Sequence, residues 1–369
     1  MKSYDIAIIG AGIGGCTLAY FAKQENKKVL LIDRALNPAT GGSGAAGAFI
    51  SPKLGKKTPL LELTNLSFKF ATKFYSTNFR EFFDRSAIVR LPKDKDDAKN
   101  FKEYQKYIGG EIISSKNLKP LGINCKFDAL FFKDGGVCDA QNLCKALIKD
   151  IDFLQLEVKD FNFNTEILIN NKIQAKKVVL SNGYEGHKLL EYMGINGIWG
   201  SRGDFFCSSD IKVCMHKDIS ISANKEGIIK IGATHLRAKS PTNACMQCDG
   251  EPLAPLIKSA KEITNINNLK LKETFCGMRS GSKDYFPLVG KVIDSNFMLN
   301  KYPQIKKGFS KVEFKYINNL YVLNGFGGRG FVFAPLMAKW LINLIFKNQE
   351  VDLRVNPNRL FFKWARRLK

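Results

Sequence analysis

Glycines near the N-terminus and one acid downstream have the spacing of a dinucleotide-binding site. The glycines are Gly10, Gly12, Gly14 and Gly15, and Asp33 follows 18 residues after Gly15. Gly10 permits a tight turn, Gly12 lets the backbone approach a pyrophosphate, and Gly15 lets a helix pack closely on a strand. The helix N-terminus then faces the phosphates, and the Asp33 carboxylate accepts hydrogen bonds from a ribose. The chemistry indicated is the binding of NAD or FAD.

These glycines bind a dinucleotide only if a strand precedes them and a helix follows them. Residues 5–9 are a short apolar run rich in β-branched side chains, and the residues through about Lys23 have helical spacing. Residues 29–32 form a second predicted strand, which ends at the acid. A structural glycine turn is the alternative, but the flanking features together favour a nucleotide site. Because a position at the extreme N-terminus is typical of glutathione-reductase-type FAD enzymes, we predict FAD and include Arg34 in the site.

Two later loops of small residues are candidates for contact with the flavin. One follows the second strand as Asn37–Phe49, where small side chains allow the backbone to lie against a flat ring and Gly44 and Gly47 can adopt positive φ. The other follows a predicted buried strand at 177–180, at the carboxyl edge of the sheet where ligands of doubly wound folds bind. The predicted cofactor-binding residues in these loops are Gly42, Ser43, Gly44, Ala46, Gly47, Ser181, Asn182 and Gly183.

A third glycine-rich loop lies near the end of the chain. A predicted strand at 320–323 leads into this loop, and a long apolar helix from about Phe333 to Phe346 follows. A loop that feeds a helix N-terminus is an anion or oxyanion site, which here would stabilise negative charge on a reduced flavin. Arg329 either faces the flavin or a phosphate, or packs outward at the helix start. The predicted cofactor-binding residues here are Gly325, Gly327, Gly328, Arg329 and Gly330.

The remaining pattern predicts an α/β fold with two domains. Short strands and turns from Trp199 to about Met278 indicate an antiparallel sheet, inserted as a substrate domain into a glutathione-reductase-type FAD-binding Rossmann domain. Amphipathic helices are predicted at 60–85, 140–149 and 256–263, and a charged helix or loop at 91–106. We expect the FAD-binding domain to comprise residues 1–85, 135–198 and 280–369, and the substrate domain 86–134 and 199–279.

Membrane insertion and export are not expected. No apolar run reaches the ~18 residues that span a bilayer, and the first strand begins too early to leave room for a signal peptide. We therefore expect a soluble, cytoplasmic protein whose nine cysteines are reduced thiols. Cys245 and Cys248 form a single CxxC, which is either a pair of loop cysteines or, less favoured, a metal site.

Charge is unusual in both amount and distribution. The formal net charge is +23, and residues 301–369 contain 14 bases and 3 acids. Such a field attracts polyanions, although a biased genome would also supply lysines. The last ten residues, from Leu360, mix aromatic and basic side chains. They would either hold an RNA backbone or dock as a basic amphipathic helix on the protein or on a membrane.

Four motifs together resemble the D-amino-acid oxidase superfamily of FAD enzymes. They are the N-terminal GAGIGG, the loop GGSGAAGAF, the strand end SNGY and the late GFGGRG before a helix. The resemblance is strongest to one branch, the FAD-dependent oxidoreductase half of the MnmC family of bacterial tRNA wobble-uridine modification enzymes. The stretches that carry it are Gly42–Leu54, Gly200–Asp204, Cys276–Gly290 and Gly325–Pro335.

This resemblance implies a reaction and a role for Arg279. The family oxidises the carboxymethylaminomethyl group of a wobble uridine in the tRNA anticodon loop, so that glyoxylate is released and an aminomethyl group remains, without a metal. In the superfamily an arginine in this stretch pairs with the substrate carboxylate, so Arg279 is the expected catalytic residue, with Arg329 as a second. The alternative for Arg279 is a structural bridge to Asp284.

Some sarcosine-oxidase relatives tether flavin through a cysteine in this region, which makes Cys276 a weaker candidate for covalent attachment.

The family usually carries a methyltransferase domain ahead of this half, and here Met1 begins at the flavin-binding strand. The expectation is an oxidase without that activity, complemented by a separate methyltransferase. Two other functions compete with tRNA oxidation. One is a free amino-acid oxidase or dehydrogenase of the glycine or D-amino-acid type, and the other is a basic RNA-binding protein with a degenerate flavin fold.

Overall fold

A computed structural model describes residues 3–163, 166–188, 190–237 and 253–368. The chain divides into two compact units. The first unit comprises residues 1–40, 144–197 and 279–369, and the second comprises residues 41–143 and 198–278. Residues 41–85 and 135–143, which the sequence analysis assigns to the FAD-binding domain, therefore lie in the second unit.

The strands are short except for three long ones near the middle and the end of the chain. In chain order they are β1 Ser3–Tyr4, β2 Ile6–Ile9, β3 Val29–Asp33, β4 Phe49–Ile50, β5 Phe83–Asp84, β6 Ile88–Arg90, β7 Glu111–Ile113, β8 Ala129–Phe132, β9 Gly136–Cys138, β10 Asp152–Gln155, β11 Phe161–Phe163, β12 Ile167–Ile169, β13 Ile173–Ala175, β14 Val178–Leu180, β15 Asn196–Phe206, β16 Cys214–His216, β17 Ser220–Ile221, β18 Ile228–Gly232, β19 Leu236–Arg237, β20 Lys270–Gly281, β21 Leu288–Ile293 and β22 Tyr316–Asn324.

The helices occur in both units. They are α1 Ile13–Gln24, α2 Pro59–Asn78, α3 Lys95–Ile108, α4 Ser115–Leu118, α5 Ala140–Leu147, α6 Ala254–Ile263, α7 Ser295–Lys301, α8 Gly330–Lys347 and α9 Asn358–Ala365. Short 3-10 helices lie at Arg80–Phe82, Lys119–Leu121, Gly183–Lys188, Glu191–Met193, Pro303–Lys307 and Gly327–Arg329. The helices predicted at 60–85 and 140–149 are present but end earlier, at Asn78 and Leu147. The helix predicted at 256–263 begins earlier, at Ala254, and the charged stretch at 91–106 is mostly helix.

The main sheet of the first unit has the order β10-β3-β2-β14-β22-β21. Strands β10, β3, β2, β14 and β22 run parallel, and β21 is an antiparallel edge strand. The runs IAII of β2 and VVL of β14 are fully buried, as expected for strands that are covered on both faces. This is the predicted Rossmann arrangement, and a smaller sheet of order β1-β13-β12-β11 accompanies it.

The C-terminal helix α9 completes the core of the first unit. Phe361 is fully buried, and its ring packs against Tyr192, Phe314 and Trp364 at centroid distances of 5.6, 5.8 and 5.7 Å. Leu360 is buried with it. Of the alternatives for the tail, docking on the protein is the one observed, so the Phe361 ring is unavailable for stacking on RNA.

Helix α8 corrects the expectation that no segment is long and apolar enough to span a membrane. The helical segment Gly327–Lys347 meets that test by length and by a mean hydropathy of 1.4. Two-thirds of its apolar window is buried inside the protein, and α8 packs along α1. A helix that is apolar on all sides and enclosed by neighbours is a core helix.

The second unit is built on a largely antiparallel sheet. Its order is β19-β15-β18-β17-β16-β6-β8-β7, with β20 paired to β15. A three-stranded sheet of order β4-β9-β5 lies in the same unit. The antiparallel sheet predicted for 199–278 is therefore present in the described residues, and strands β6, β7 and β8 from the earlier segment extend it.

The cysteines only partly follow the expectation of reduced thiols. Cys16, Cys125, Cys138, Cys144, Cys207 and Cys214 are free. Cys276 is disulfide-bonded, so its sulfur is not a free thiol for attachment of a flavin. The CxxC pair lies outside the described residues.

Candidate active site

The turn after β2 has the geometry that its glycines predict. Gly10 has a φ of 106°, and a Cβ there would lie 2.5 Å from the Ser181 carbonyl oxygen. A Cβ on Gly15 would lie 1.9 Å from the Gly10 carbonyl oxygen, so only glycine lets α1 approach β2 this closely. Gly12 is the N-cap of α1, and the first turn has neither a side-chain cap nor an acid. The helix N-terminus is therefore left to an anionic ligand.

Asp33 ends β3 and is fixed by the adjacent backbone. Its Oδ2 accepts a hydrogen bond from the Ala11 amide at 2.7 Å, and its Oδ1 accepts one from the Ala35 amide at 2.9 Å. A carboxylate has about four acceptor positions, so these two bonds orient Asp33 and leave capacity for ribose hydroxyls. Arg34 is mostly exposed, and its guanidinium lies 3.9 Å from Glu185.

Three neighbouring strands of the first unit end at the same edge of the sheet. In the register Leu180 lies between Ile9 and Val322, so the loops that follow β2, β14 and β22 are adjacent. These loops are so close that a Cβ on Gly14 would lie 3.0 Å from both the Phe326 ring and the Ser181 hydroxyl. The structure therefore brings the N-terminal glycines, residues 181–183 and residues 325–330 together.

Asn324 is a buried residue that the sequence analysis did not single out. Its Nδ2 donates to the Gly183 carbonyl at 2.9 Å. Its Oδ1 accepts from the Gly325 amide at 2.8 Å and from the Ser280 hydroxyl at 2.9 Å. One amide thus ties together the loops after β14 and β22 and the end of β20. No local sequence pattern identifies Asn324, because its partners lie on segments distant in sequence.

The late glycine loop leads directly into α8. Gly327–Arg329 form a 3-10 turn, Arg329 is the N-cap of the helix, and no acid lies in the first turn. A Cβ on Gly330 would lie 3.1 Å from Ile13, so the N-termini of α8 and α1 lie side by side. Burial lowers the pKa of Arg329 to about 10, which leaves the guanidinium charged at neutral pH.

Arg279 lies beside this loop. Its side chain runs along Gly328, where a Cβ would be 3.8 Å from the arginine Cδ. Two residues further along β20, Gly281 forms a β-bridge with Phe326. Burial lowers the pKa of Arg279 from its usual value. The first unit therefore places two cationic guanidinium groups and two helix N-termini at one edge of its sheet.

Asp284, the alternative partner considered for Arg279, forms an ion pair with another residue. Arg359 of α9 donates from Nε and Nη2 to the two Asp284 carboxylate oxygens at 2.8 and 2.9 Å. Burial alone would raise the pKa of Asp284, but its hydrogen bonds with Arg359 hold that pKa below the usual value.

The loop at 41–49 lies in the second unit, and at Gly47 and opposite Gly277 it packs without space for larger side chains. A Cβ on Gly47 would lie 2.6 Å from the Phe49 ring. A Cβ on Gly277 of β20 would lie 2.9 Å from Ala45 and 3.1 Å from Gly42. Neither Gly44 nor Gly47 has the positive φ expected of it, and the positive φ angles fall on Ala39 and Ala48 instead. Small side chains here serve close packing rather than an unusual backbone conformation.

Arg202 contacts the loop at 41–49. It is buried, donates from Nε to the Ala45 carbonyl at 3.1 Å, and its guanidinium stacks 3.9 Å from the centre of the Phe275 ring. It also forms an ion pair with Asp204. Burial lowers the pKa of Arg202 and raises that of Asp204. Arg202 lies within Gly200–Asp204, one of the stretches that carry the family resemblance, and no role was predicted for it.

The histidines have local structural partners. His187 stacks on Tyr184 at a centroid distance of 4.4 Å, and His216 lies 2.6 Å from the Ser220 hydroxyl. His235 is exposed. Among the described residues, no three His, Cys, Asp or Glu side chains are grouped in a way that would hold a metal ion.

The edge of the first unit fits an adenine dinucleotide. The uncapped α1 N-terminus suits a pyrophosphate, and the oriented Asp33 carboxylate suits a ribose. The converging loops leave room for backbone but not for side chains, and the nearby guanidinium groups favour negative charge.

Comparison with known proteins gives a family and a fold. The family described as FAD dependent oxidoreductase matches residues 5–344. The tRNA 5-methylaminomethyl-2-thiouridine biosynthesis bifunctional protein MnmC of Legionella pneumophila is 24% identical over 369 residues, covering 94% of this chain and 54% of the relative. The chain thus spans about half the length of that relative.

Two solved structures show the same fold at low sequence identity. The glycine oxidase from Bacillus cereus has a TM-score of 0.76 at 20% identity, covering 94% of this chain and 96% of the oxidase. The iminodiacetate oxidase from Chelativorans sp. BNC1 has a TM-score of 0.76 at 17% identity, covering 95% of this chain and 98% of the oxidase.

Proposed function

The chain belongs to the FAD dependent oxidoreductase family, and from that premise we propose that it oxidises the carboxymethylaminomethyl side chain of a tRNA wobble uridine. The products would be glyoxylate and an aminomethyluridine. The likeness to MnmC of Legionella pneumophila over 94% of the chain supports the choice of substrate. The observation that carries the proposal is the position of Arg279 beside the late glycine loop, with Asp284 engaged by Arg359 instead.

The reaction breaks one carbon–nitrogen bond after an oxidation. A hydride leaves the methylene between the amine and the carboxylate, a proton leaves the nitrogen, and water cleaves the resulting imine. Bound FAD supplies the two-electron acceptor for that hydride. We propose that FAD is held by Gly10, Gly12, Gly14, Gly15, Asp33, Arg34, the loop residues 42–47, residues 181–183 and residues 325–330.

Arg279 would bind the substrate carboxylate through its planar guanidinium. Two parallel hydrogen bonds fix both the position and the rotation of a carboxylate, which lysine cannot do. This contact would hold the reacting methylene in one orientation. Arg329 and the helix N-termini add positive potential, which favours the neutral form of the secondary amine and opposes a positive charge on it.

A free amino-acid oxidase is the second candidate, because the glycine and iminodiacetate oxidases share the fold. Both candidates use Arg279 for a carboxylate. The net charge of +23 favours a polyanionic substrate, since a small zwitterion does not require it. Cytoplasmic location and release of glyoxylate belong to the same proposal.

Anaerobic flavin reduction tests the proposal. The purified protein would be reconstituted with FAD and mixed with tRNA carrying the carboxymethylaminomethyl group, with the same tRNA lacking it, or with free glycine. We expect bleaching of the visible flavin band, with formation of glyoxylate, by the modified tRNA and not by the unmodified tRNA or by glycine. Bleaching by glycine but not by modified tRNA would replace tRNA oxidation with amino-acid oxidation.

A further inference from the structure

Eight basic side chains form an exposed surface in the first unit, here named the basic ridge. They lie on the segment 301–315 and on α9 with the residues that follow it, and all eight are exposed. The basic ridge consists of Lys301, Lys306, Lys307, Lys311, Lys315, Lys363, Arg366 and Arg367.

We propose that the basic ridge binds the phosphate backbone of RNA at a distance from the reacting edge. The inference rests on the proposed function for its choice of tRNA as the RNA. Neutralising a row of phosphates requires cations that are not already paired within the protein.

The ridge bases differ in this respect from other bases of the C-terminal region. Lys339 and Lys347 pair with Glu25, and Arg359 pairs with Asp284. Within the described part of the chain, no salt bridge involves a base of the basic ridge. The acid on these segments is Glu313, and Glu191 lies on the 3-10 turn that contacts α9, so the ridge has a large positive excess.

Packing joins the two parts of the ridge into one surface. Helix α9 contacts the 3-10 turn Pro303–Lys307. The Phe314 ring lies 5.8 Å from the Phe361 ring and 5.3 Å from the Phe362 ring. The two sets of bases are thus held next to each other by a buried aromatic cluster rather than by flexible chain.

The surface favours RNA over a lipid bilayer. An amphipathic helix binds a membrane with its apolar face, and the apolar residues Leu360, Phe361 and Ala365 of α9 are buried in the protein. Beside the ridge lies an open cavity of about 280 Å³ lined by residues that include Lys291, Phe314, Lys315, Tyr316 and Asn318. Aromatic rings next to bases suit unpaired nucleotides, which stack while their phosphates are neutralised.

Part of the basic ridge lies far from the late glycine loop. Lys315 precedes β22 and Gly325 follows it, so Lys315 of the basic ridge and the late glycine loop lie at opposite ends of a nine-residue strand. At about 3.3 Å per residue that strand is roughly 30 Å long, well beyond the ~10 Å screening length at 0.1 M salt. A substrate that uses both places must be a macromolecule.

A charge-neutralised variant tests the ridge. The variant K306Q/K307Q/K363Q/R366Q would be compared with the control K95Q/K102Q/K106Q/K116Q, which removes four exposed lysines from the second unit. Binding of tRNA would be measured over a series of salt concentrations. FAD content, thermal unfolding and flavin reduction by free N-methylglycine would be measured in parallel.

We expect the ridge variant to bind tRNA roughly 10- to 100-fold more weakly at 0.1 M salt, with a slope of log K against log salt that is lower by about three to four. The control and the three parallel measurements should stay at wild-type values. Equal loss in the control, or an unchanged slope in the ridge variant, would overturn the assignment even if modified tRNA is oxidised. Binding of the wild type to anionic vesicles but not to tRNA would also overturn it, in favour of a membrane partner. Oxidation of amino acids alone, with ridge-dependent tRNA binding intact, would reject the proposed function and retain the ridge.

Discussion

Arg279 has a guanidinium beside the loop that begins α8, where a substrate carboxylate would be fixed. We expect Arg279→Gln to lower kcat/KM for the carboxymethylaminomethyl substrate by about 100-fold, because two charge-assisted hydrogen bonds are lost. Arg279→Lys should recover only part of this, since an ammonium group cannot pair with both oxygens in one plane. Steady-state kinetics with modified tRNA would measure the effect.

The control for Arg279 is cofactor retention. FAD content and the visible spectrum should be unchanged in both variants, because the arginine is proposed to bind substrate and not flavin. A variant that loses FAD, or that reacts as fast as the wild type, would remove Arg279 from the proposed role.

Arg359 forms the ion pair with Asp284 that was the alternative role considered for Arg279. We expect Arg359→Ala to lower the free energy of unfolding by roughly 2 kcal/mol at pH 7, because the half-buried carboxylate loses its partner. The native pKa of Asp284 is lowered, so the pair stabilises the fold above the unfolded pKa of about 4 and loses this contribution as pH falls through the native value. The difference between the wild type and the variant should therefore shrink below about pH 4.

Denaturant titrations at several pH values would test this pair. Lys176→Ala is the matched control, because Lys176 forms an exposed ion pair with Asp5, for which little or no change in stability is expected. A pH-independent difference for Arg359→Ala would show that packing, not charge, dominates.

Single residues divide into those that sequence can identify and those that it cannot. Gly10, Gly15 and Asp33 follow from local spacing, because turn, helix and acid lie within one supersecondary unit. Asn324 and the Arg359 partner of Asp284 depend on contacts between segments distant in sequence. No local pattern encodes such contacts, so both were missed.

At the scale of elements, the approach of α1 to β2 depends on Gly15. We expect Gly15→Ala to destabilise the protein by at least about 3 kcal/mol and to abolish FAD binding, because its Cβ would lie 1.9 Å from a backbone oxygen that cannot move aside. Gly41→Ala is the control, since a Cβ there meets nothing within 4 Å. Chemical denaturation and FAD titration would measure both, and a stable Gly15→Ala variant that binds FAD would contradict the packing described.

Helix α9 makes a second prediction at this scale. We expect Phe361→Ala to cost about 3–5 kcal/mol, as a fully buried ring at the centre of an aromatic cluster is removed. Leu353→Ala, at a side chain that is 82% exposed, should change stability by less than about 0.5 kcal/mol. Unfolding curves for both variants would decide whether α9 belongs to the core, and a cost below about 1 kcal/mol for Phe361→Ala would place it outside.

Element boundaries show why pattern reasoning has limits. The apolar pattern predicts the late helix from about Phe333, whereas α8 begins at Gly330, because the glycine loop is already wound into a turn. Positive φ, expected at Gly44 and Gly47, is found instead at Ala39 and Ala48, and Gly277 of β20 packs against Gly42 and Ala45. Local propensity carries no information about a packing neighbour, such as Gly277, that is more than 200 residues away.

The charge of the whole molecule should appear in the kinetics. We expect KM for modified tRNA to rise at least about tenfold between roughly 50 and 200 mM salt, because released counterions oppose binding of a polyanion. KM for free N-methylglycine should change by less than about twofold over the same range. Equal salt dependence for both substrates would indicate that the charge of +23 acts on something other than tRNA.

Sequence patterns predict the two types of domain in this chain but not the residues at which each begins and ends. Alternation of βα units with a block of short strands predicts a Rossmann unit with an inserted antiparallel sheet. Residues 41–85 join the second unit because β4 pairs with β9 and α2 packs in the same unit. These pairings join distant segments, and a linear pattern does not reveal them.

The position of β14 has a consequence for synthesis on the ribosome. This strand lies between β2, which is made before it, and β22, which is made more than 130 residues after it. When synthesis has reached residue 300, β14 is therefore an apolar strand with one unpaired edge. Unpaired strand edges readily pair with other chains. Newly made protein must be protected from self-association until the late strand emerges and closes the sheet.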